Sequence, residues 1–328
     1  MKTILNQLFE HQRLSEKEAY EVLTKIGNGA YNSSQIAAFL TIFMMRPIAV
    51  DELKGFQQAL LDLCLKMDFS DFNSMDVCGT GGDGKDTFNI STLSAFVVAG
   101  AGYKVTKHGN YGVSSVCGSS NVLEHLGYVF TNDETVLKKQ LEKANFCMMH
   151  APLFHPAMKN VAPIRKELGL KTFFNMLGPI VNPSSPQIQL VGVFNLELAR
   201  IYNYLLQDSG KQYSILYSLD GYDEISLTSH TKLINNNGEH IITPEEMGFK
   251  PIQPHEIFGG SNMEEAANIF TDVLQNNGTE AQKNVVLANA AQAIRCFEPQ
   301  QSIVACTEIA SESLSSGKAY ECLKKIIN

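Results

Sequence analysis

The segment DVCGTGGDGKDTFNIST, Asp76 to Thr92, constrains the fold more than any other stretch of the chain. SMDVCG, which runs into it, reads as a short strand; the helix expected after it carries Leu93, Phe96 and Val97, with Ser91 or Thr92 as its N-cap. Gly79, Gly81, Gly82 and Gly84 lie between them. Glycines let main-chain N–H groups close on an anion with no Cβ in the way, and the helix start aims its positive end at the same place. The alternative is a plain tight connection from strand to helix. A further glycine in the next loop, Gly109, favours a ligand.

The segment is not a nucleoside-triphosphate loop of the form G-x-x-x-x-G-K-[ST]. Gly79, Gly84 and Lys85 fit that pattern, but Asp86 stands where a hydroxyl should hold magnesium, and Thr87 comes one residue late. A carboxylate against phosphates raises the energy. Asn89, Ser91 and Thr92 read better as extra donors at the helix start.

Two more small-polar loops follow. KHGNYGVSS, Lys107 to Ser115, comes after the strand candidate YKVTKHG; Lys107 supplies a charge, while Asn110, Ser114 and Ser115 offer donors. CGSSN adds Ser119 at a helix start, with Asn121 and Glu124 expected to cap VLEHLG. Loops that follow neighbouring strands converge at one sheet edge, where α/β proteins bind ligands. Far downstream, DGYDE places Asp223 and Glu224 side by side after a turn signal. In a loop both can reach a hydrated cation; alone they would read as a solvated acidic turn. His150 to Pro183 is rich in Pro, His and aromatic residues and carries Arg165, which can take a carboxylate bidentately. Structural readings stand beside it: a helical Glu167–Lys171 pair, and His150 and His155 as satisfied polar groups.

Before residue 70 the pattern is helical. Ile4, Leu5, Leu8 and Phe9 form an apolar face; Ser15 and Glu18 suit a capping box, with Gly27 as a stop; SSQIAAFLTIFMMRP is apolar nearly all round and reads as buried. After residue 70, QIQLVGVF, LELARIYNYLLQ and QYSILYSLDG continue a strand–helix–strand alternation, and the C-terminal segments are helical. The 44% hydrophobic content supports a packed core rather than disorder. A net charge of −8 argues against a nucleic-acid partner. Seven scattered cysteines without a C-x-x-C pair argue against a disulfide framework or zinc cluster. The apolar runs are too short for a membrane span, and the expected setting is a reducing cytoplasm.

Five segments in register, CGTGGDGKDTFNIST, KHGN..VSS, GSSNVLEHLG, HPAMKNVAPIRKELGLKTFFNMLGPIVNP and DGYDE, resemble those of the anthranilate phosphoribosyltransferases, and the resemblance spans essentially the whole chain. It implies an α/β fold of the nucleoside phosphorylase and phosphoribosyltransferase kind. A small helical domain, 1–70, would be completed by helices near 165–190, and a larger α/β domain, 71–328, would hold a central sheet flanked by helices. The implied reaction joins anthranilate to phosphoribosyl pyrophosphate in tryptophan biosynthesis. The implied phosphoribosyl pyrophosphate residues are Gly79, Gly82, Asp83, Thr87, Asn89, Ile90, Ser91, Thr92, Lys107, His108, Gly109, Asn110, Tyr111, Gly112, Val113, Ser114, Ser115 and Ser119. Gly79, Asn110 and Arg165 would take anthranilate. Ser91, Asp223 and Glu224 would hold two magnesium ions, and no covalent or obligate base residue is implied. A homodimer through the helical domain is also implied. The chain departs from the usual pattern at Tyr111, where the family has Arg, and at Asn121, where Asp is frequent. Pyrimidine nucleoside phosphorylases share the architecture, but DGYDE and the HPAM…NMLGP segment argue against them.

Overall fold

The computed structural model describes residues 1–112 and 117–327. The chain divides into two compact units, Met1–Met67 with Ala151–Ser185, and Asp68–His150 with Pro186–Asn328.

The first unit is helical. Ser15 and Glu18 form the expected capping box at the start of Glu16–Gly27, and Asn32 with Gln35 does the same for Ser33–Met45. Val50–Leu63 is anchored differently. Its Glu52 is fully buried, and its two carboxylate oxygens accept from the Leu14 and Ala49 N–H groups and from both terminal nitrogens of Arg46. Phe39, Phe43 and Phe56 pack with Phe173 into one aromatic cluster, Phe56 stacking on Phe173 at 4.6 Å. Ser33–Met45 is not buried all round as its composition predicts, since Met45 is 84% exposed. Glu167 and Lys171 do not share one helix as expected, because Ala162–Leu168 stops at Gly169, whose φ of 63° is left-handed.

The second unit is built on a seven-stranded sheet. β1 (Ser74–Gly79), β2 (Lys104–Gly109), β3 (Phe146–His150), β4 (Ile188–Gly192) and β5 (Gln212–Ser218) are parallel; β6 (Thr231–Asn235) and β7 (Gly238–Ile242) add an antiparallel hairpin. The order is β3-β2-β1-β4-β5-β6-β7. β1 to β4 are buried along nearly their whole length, as parallel strands with covered faces must be. Helices Ile90–Gly100 and Glu280–Phe297 supply much of the covering apolar surface.

Strand order reverses direction between β1 and β4. In an open α/β sheet the crevice beyond the carboxyl ends of the strands at such a reversal is where ligands bind. Gly79 and Gly192, the last residues of β1 and β4, are paired there.

Candidate active site

A Cβ on Gly79 would sit 2.5 Å from Asp223 Oδ2, and one on Gly192 would collide with the Asp223 carbonyl oxygen. Two absent side chains therefore admit the acidic loop to the switch point. Asp223 Oδ2 then accepts from the Gly81 N–H at 2.7 Å. Gly81, Gly82 and Gly84 all have positive φ, and Asp86 joins them at 50°. The far end of the glycine loop is held by Ile257–Gly259: Gly259 N–H donates to Asp86 O at 2.8 Å, and Thr87 bridges to Phe258.

The helix after the loop begins at Ile90, two or three residues earlier than expected, so Ser91 and Thr92 lie in its first turn rather than at its cap. Asn89 occupies the N-cap position without bonding there; its side-chain amide donates to Cys117 O at 3.0 Å. Glu224 lies near the Ser91 N–H, which favours its charged form. A carboxylate at a helix N-terminus is favourable.

Asp223 is 7% exposed and Glu224 half-buried in this crevice, with Asp83 alongside. Burial first, and then the Asp83 charge, push the Asp223 carboxyl up to about 7. Burial, and next the Asp223 charge, push Glu224 well above the usual carboxylate range. Against them stands Lys107, 2% exposed, whose ammonium donates to Val77 O and reaches Ser91 Oγ at 3.4 Å. Burial lowers its pKa, while Asp76, Cys78, Glu224 and Asp223 oppose that. One ammonium does not balance three carboxyls, so the crevice favours a further cation. Thr80 Oγ1 and Thr92 Oγ1 are buried with no hydrogen-bond partner among the described residues. Among those residues no group of three or more His, Cys, Asp and Glu side chains could hold a metal ion. The set suits a hard cation that takes one or two carboxylates and completes its shell with substrate oxygens and water.

The second loop leaves β2 beside this crevice. His108 N–H donates to Asp76 Oδ1 at 3.1 Å. A Cβ on Gly109 would crowd Ser119 Oγ. Asn110 and Gly112 are exposed; the Asn110 carbonyl accepts from Ser120 N–H, and its side chain accepts from Tyr111 N–H at 2.8 Å. Tyr111 does not reach into the crevice as an arginine could. Its hydroxyl bonds Glu124 at 3.0 Å and its ring packs edge-on against His150 at 4.7 Å. His150 stacks on Phe130 and bonds Ser120 through Nδ1 at 2.8 Å. The helix Ser119–His125 starts two residues before Asn121, so Asn121 sits inside its first turn and not at the cap expected for it and Glu124. From there Asn121 Oδ1 accepts from both Gly112 N–H and Gly118 N–H. Val113, Ser114 and Ser115 lie outside the described residues.

Arg165 belongs to the helical unit. Its guanidinium bonds Asn175 Oδ1 at 3.0 Å and lies 5.4 Å from the Phe174 ring centre. The ion pairs formed among the described residues do not involve it. Sequence reasoning missed Gly192, the Lys85 ammonium over the Tyr222 ring at 4.7 Å, and Asn289 behind the acidic loop. Gly192 had a visible signal, a glycine inside the apolar run QLVGVF. The other two had none.

Residues 71–320 match the glycosyl transferase family a/b domain, and residues 2–64 match its helical bundle domain. The anthranilate phosphoribosyltransferase of Flavobacterium johnsoniae is 60% identical over 99% of this chain and 98% of its own length; that of Cytophaga hutchinsonii is 56% identical over all of both. Among solved structures, anthranilate phosphoribosyltransferase from Thermus thermophilus superposes with a TM-score of 0.91 at 30% identity, covering 98% of each chain. The Saccharomyces cerevisiae enzyme in complex with phosphoribosyl pyrophosphate and magnesium gives 0.90 at 25% identity, covering 98% of this chain and 95% of its own. With strand order, glycine loop and acidic crevice in agreement, the chain belongs to the anthranilate phosphoribosyltransferase family, glycosyltransferases that move the phosphoribosyl group of phosphoribosyl pyrophosphate onto the amine of anthranilate in tryptophan biosynthesis.

Proposed function

We propose that the crevice at the β1–β4 switch point binds phosphoribosyl pyrophosphate together with magnesium, and that Arg165 and Asn110 receive anthranilate. The observation that carries this reading is the Asp223–Glu224 pair, drawn against the glycine loop by Gly79 and Gly192 and short of positive charge. The yeast relative's complex with phosphoribosyl pyrophosphate and magnesium, and another with 4-fluoroanthranilate, support the same assignment of ligands.

Gly79, Gly82, Asp83, Thr87 and the Asn89–Thr92 turn would surround the ribose and pyrophosphate, joined by the Lys107–Ser115 loop and Ser119. Asp223 and Glu224, with Ser91, would hold two magnesium ions. The bound ions would offset the charge that grows on departing pyrophosphate. The protein's own contribution would come from backbone N–H groups of the glycine loop placed at the leaving diphosphate; the Gly81 N–H, which donates to Asp223, is not one of them. Lys107 adds positive charge from beneath rather than by contact, because its ammonium is engaged by Val77 O and Ser91. Arg165 would clamp the anthranilate carboxylate with parallel hydrogen bonds. Asn110 and Gly79 would orient the ring so that its amine attacks the ribose carbon in line, which lowers the entropic part of the barrier. The amine is neutral at pH 7, so nothing must deprotonate it before attack; its proton becomes acidic once the C–N bond forms. No covalent intermediate is required. Gly79 cannot carry a side chain in this scheme, since that volume belongs to Asp223.

We also assign a homodimer formed through the helical unit, supported by the exposure of Phe9 and Met45, at 60% and 84%. No helix among the described residues is long and apolar enough to cross a membrane, and the setting we assign is the cytoplasm. The direct test mixes the chain with anthranilate, phosphoribosyl pyrophosphate and magnesium and follows anthranilate fluorescence. Loss of fluorescence that requires all three is expected; a steady signal rejects the assignment.

A further inference from the structure

The acidic pair sits between β5 and β6 in a stretch with no ladder of its own. Its backbone is nonetheless bonded on both sides. Asn289, 3% exposed on the Glu280–Phe297 helix, accepts from the Ile225 N–H at 3.0 Å and donates to the Ile225 carbonyl at 2.8 Å. It thereby does at one residue what a neighbouring strand would do. The same amide donates to Val285 O at 2.9 Å, which fixes its rotamer against its own helix. One residue earlier, Ser218 Oγ donates to the Glu224 carbonyl at 2.6 Å. The Glu224–Ile225 peptide, on the carboxyl side of Glu224, is thus held by side chains from two different elements.

We propose that Asn289 is a positioning residue for the cation-binding carboxylates, acting through the Ile225 backbone with Ser218 as its partner. This rests on the assignment of Asp223 and Glu224 to magnesium. The Glu224 carboxylate must meet a cation from one orientation, and Asn289 and Ser218 hold the backbone that sets it. Removing the Asn289 amide leaves a buried N–H and a buried carbonyl without partners, and the loop relaxes to satisfy them. The carboxylate is then re-aimed although no residue touching the ion has changed.

The test uses the full-length chain saturated with phosphoribosyl pyrophosphate and reads the rise in melting temperature as MgCl2 is titrated, alongside the magnesium dependence of turnover. Asn289→Ser should raise the half-saturating magnesium concentration about tenfold, the lower end for loss of a group that orients a metal ligand. Turnover at saturating magnesium should stay within about twofold, since the ligands themselves are intact. Combined with Glu224→Gln, Asn289→Ser should add no further change, because the orientation it controls no longer matters. A purely structural Asn289 would lower the magnesium-free melting temperature and leave half-saturation where it is in the unmodified chain; that result overturns the proposal. If Asn289→Ser does not fold, Ser218→Ala is read in the same way, a raised half-saturation supporting the proposal and an unchanged one overturning it. If Glu224→Gln alone leaves half-saturation unchanged, the assignment of the acidic pair fails instead.

Discussion

Arg165 has an aromatic neighbour and one amide, and its guanidinium retains donors for a ligand. Arg165→Ala should weaken the use of anthranilate by about 1.5–3 kcal/mol in kcat/KM, the range for hydrogen bonds to a charged group. Steady-state kinetics at saturating phosphoribosyl pyrophosphate measure it, and an unchanged KM for anthranilate removes Arg165 from the carboxylate clamp. His155 makes a different prediction. It is 6% exposed, and burial depresses its pKa from 6.5 to about 4. The unfolded chain therefore takes up a proton at His155 between those values and the folded chain does not. The stability in question is complete above pH 6.5 and is lost progressively as pH falls to about 4, by up to about 3 kcal/mol. Melting of the unmodified chain and of His155→Gln should converge over that window; parallel curves would show that the histidine charges freely in the fold. Such roles were only half legible in the sequence. Arg165 stood out because an arginine among prolines and aromatics has few bland partners. Tyr111 announced a missing cation, yet its bond to Glu124 and its packing on His150 depend on residues 13 and 39 positions away, and local spacing does not encode them.

Elements were legible where a local rule sets them. The Ser15–Glu18 box and the strand before the glycine loop follow from short-range pattern. The start of the Ile90 helix did not, because its N-cap residue Asn89 makes no local cap bond and turns its amide to Cys117 O, 28 residues away. β3 was missed because FCMMH is short and apolar and lies between two helices, where periodicity does not separate strand from buried helix. The β6–β7 hairpin was missed because β7 is mostly exposed and reads as a polar loop. In the helical unit, one element depends on a single buried ion pair. Glu52 satisfies two backbone N–H groups as well as Arg46. Glu52→Ala should therefore cost about 3–5 kcal/mol, since it leaves Arg46 and two amides without their acceptor. Chemical denaturation followed by helical signal reads this, and a loss under about 1 kcal/mol would place the pair among ordinary surface bridges.

At the scale of the whole molecule, the sequence showed a helical segment followed by strand–helix alternation but not the order of the strands. That order depends on pairings between residues more than a hundred apart, such as Val77 with Leu190. It places the proposed site, because the reversal between β1 and β4 brings the glycine loop and the acidic loop together. The helical unit makes a prediction of its own. Sedimentation should give a dimer, and Met45→Lys should shift it toward monomer if that exposed face is the interface; an unmodified chain that sediments as a monomer contradicts the assignment. The proposed function centres on crowded carboxylates, short of positive charge, that would recruit divalent cations to a glycine-lined crevice for the diphosphate. The most direct measurement of this is the magnesium dependence of anthranilate consumption in a chain carrying Asp223→Asn and Glu224→Gln. A fall in turnover together with a several-fold higher magnesium requirement is the predicted result; the same magnesium curve as the unmodified chain would contradict it.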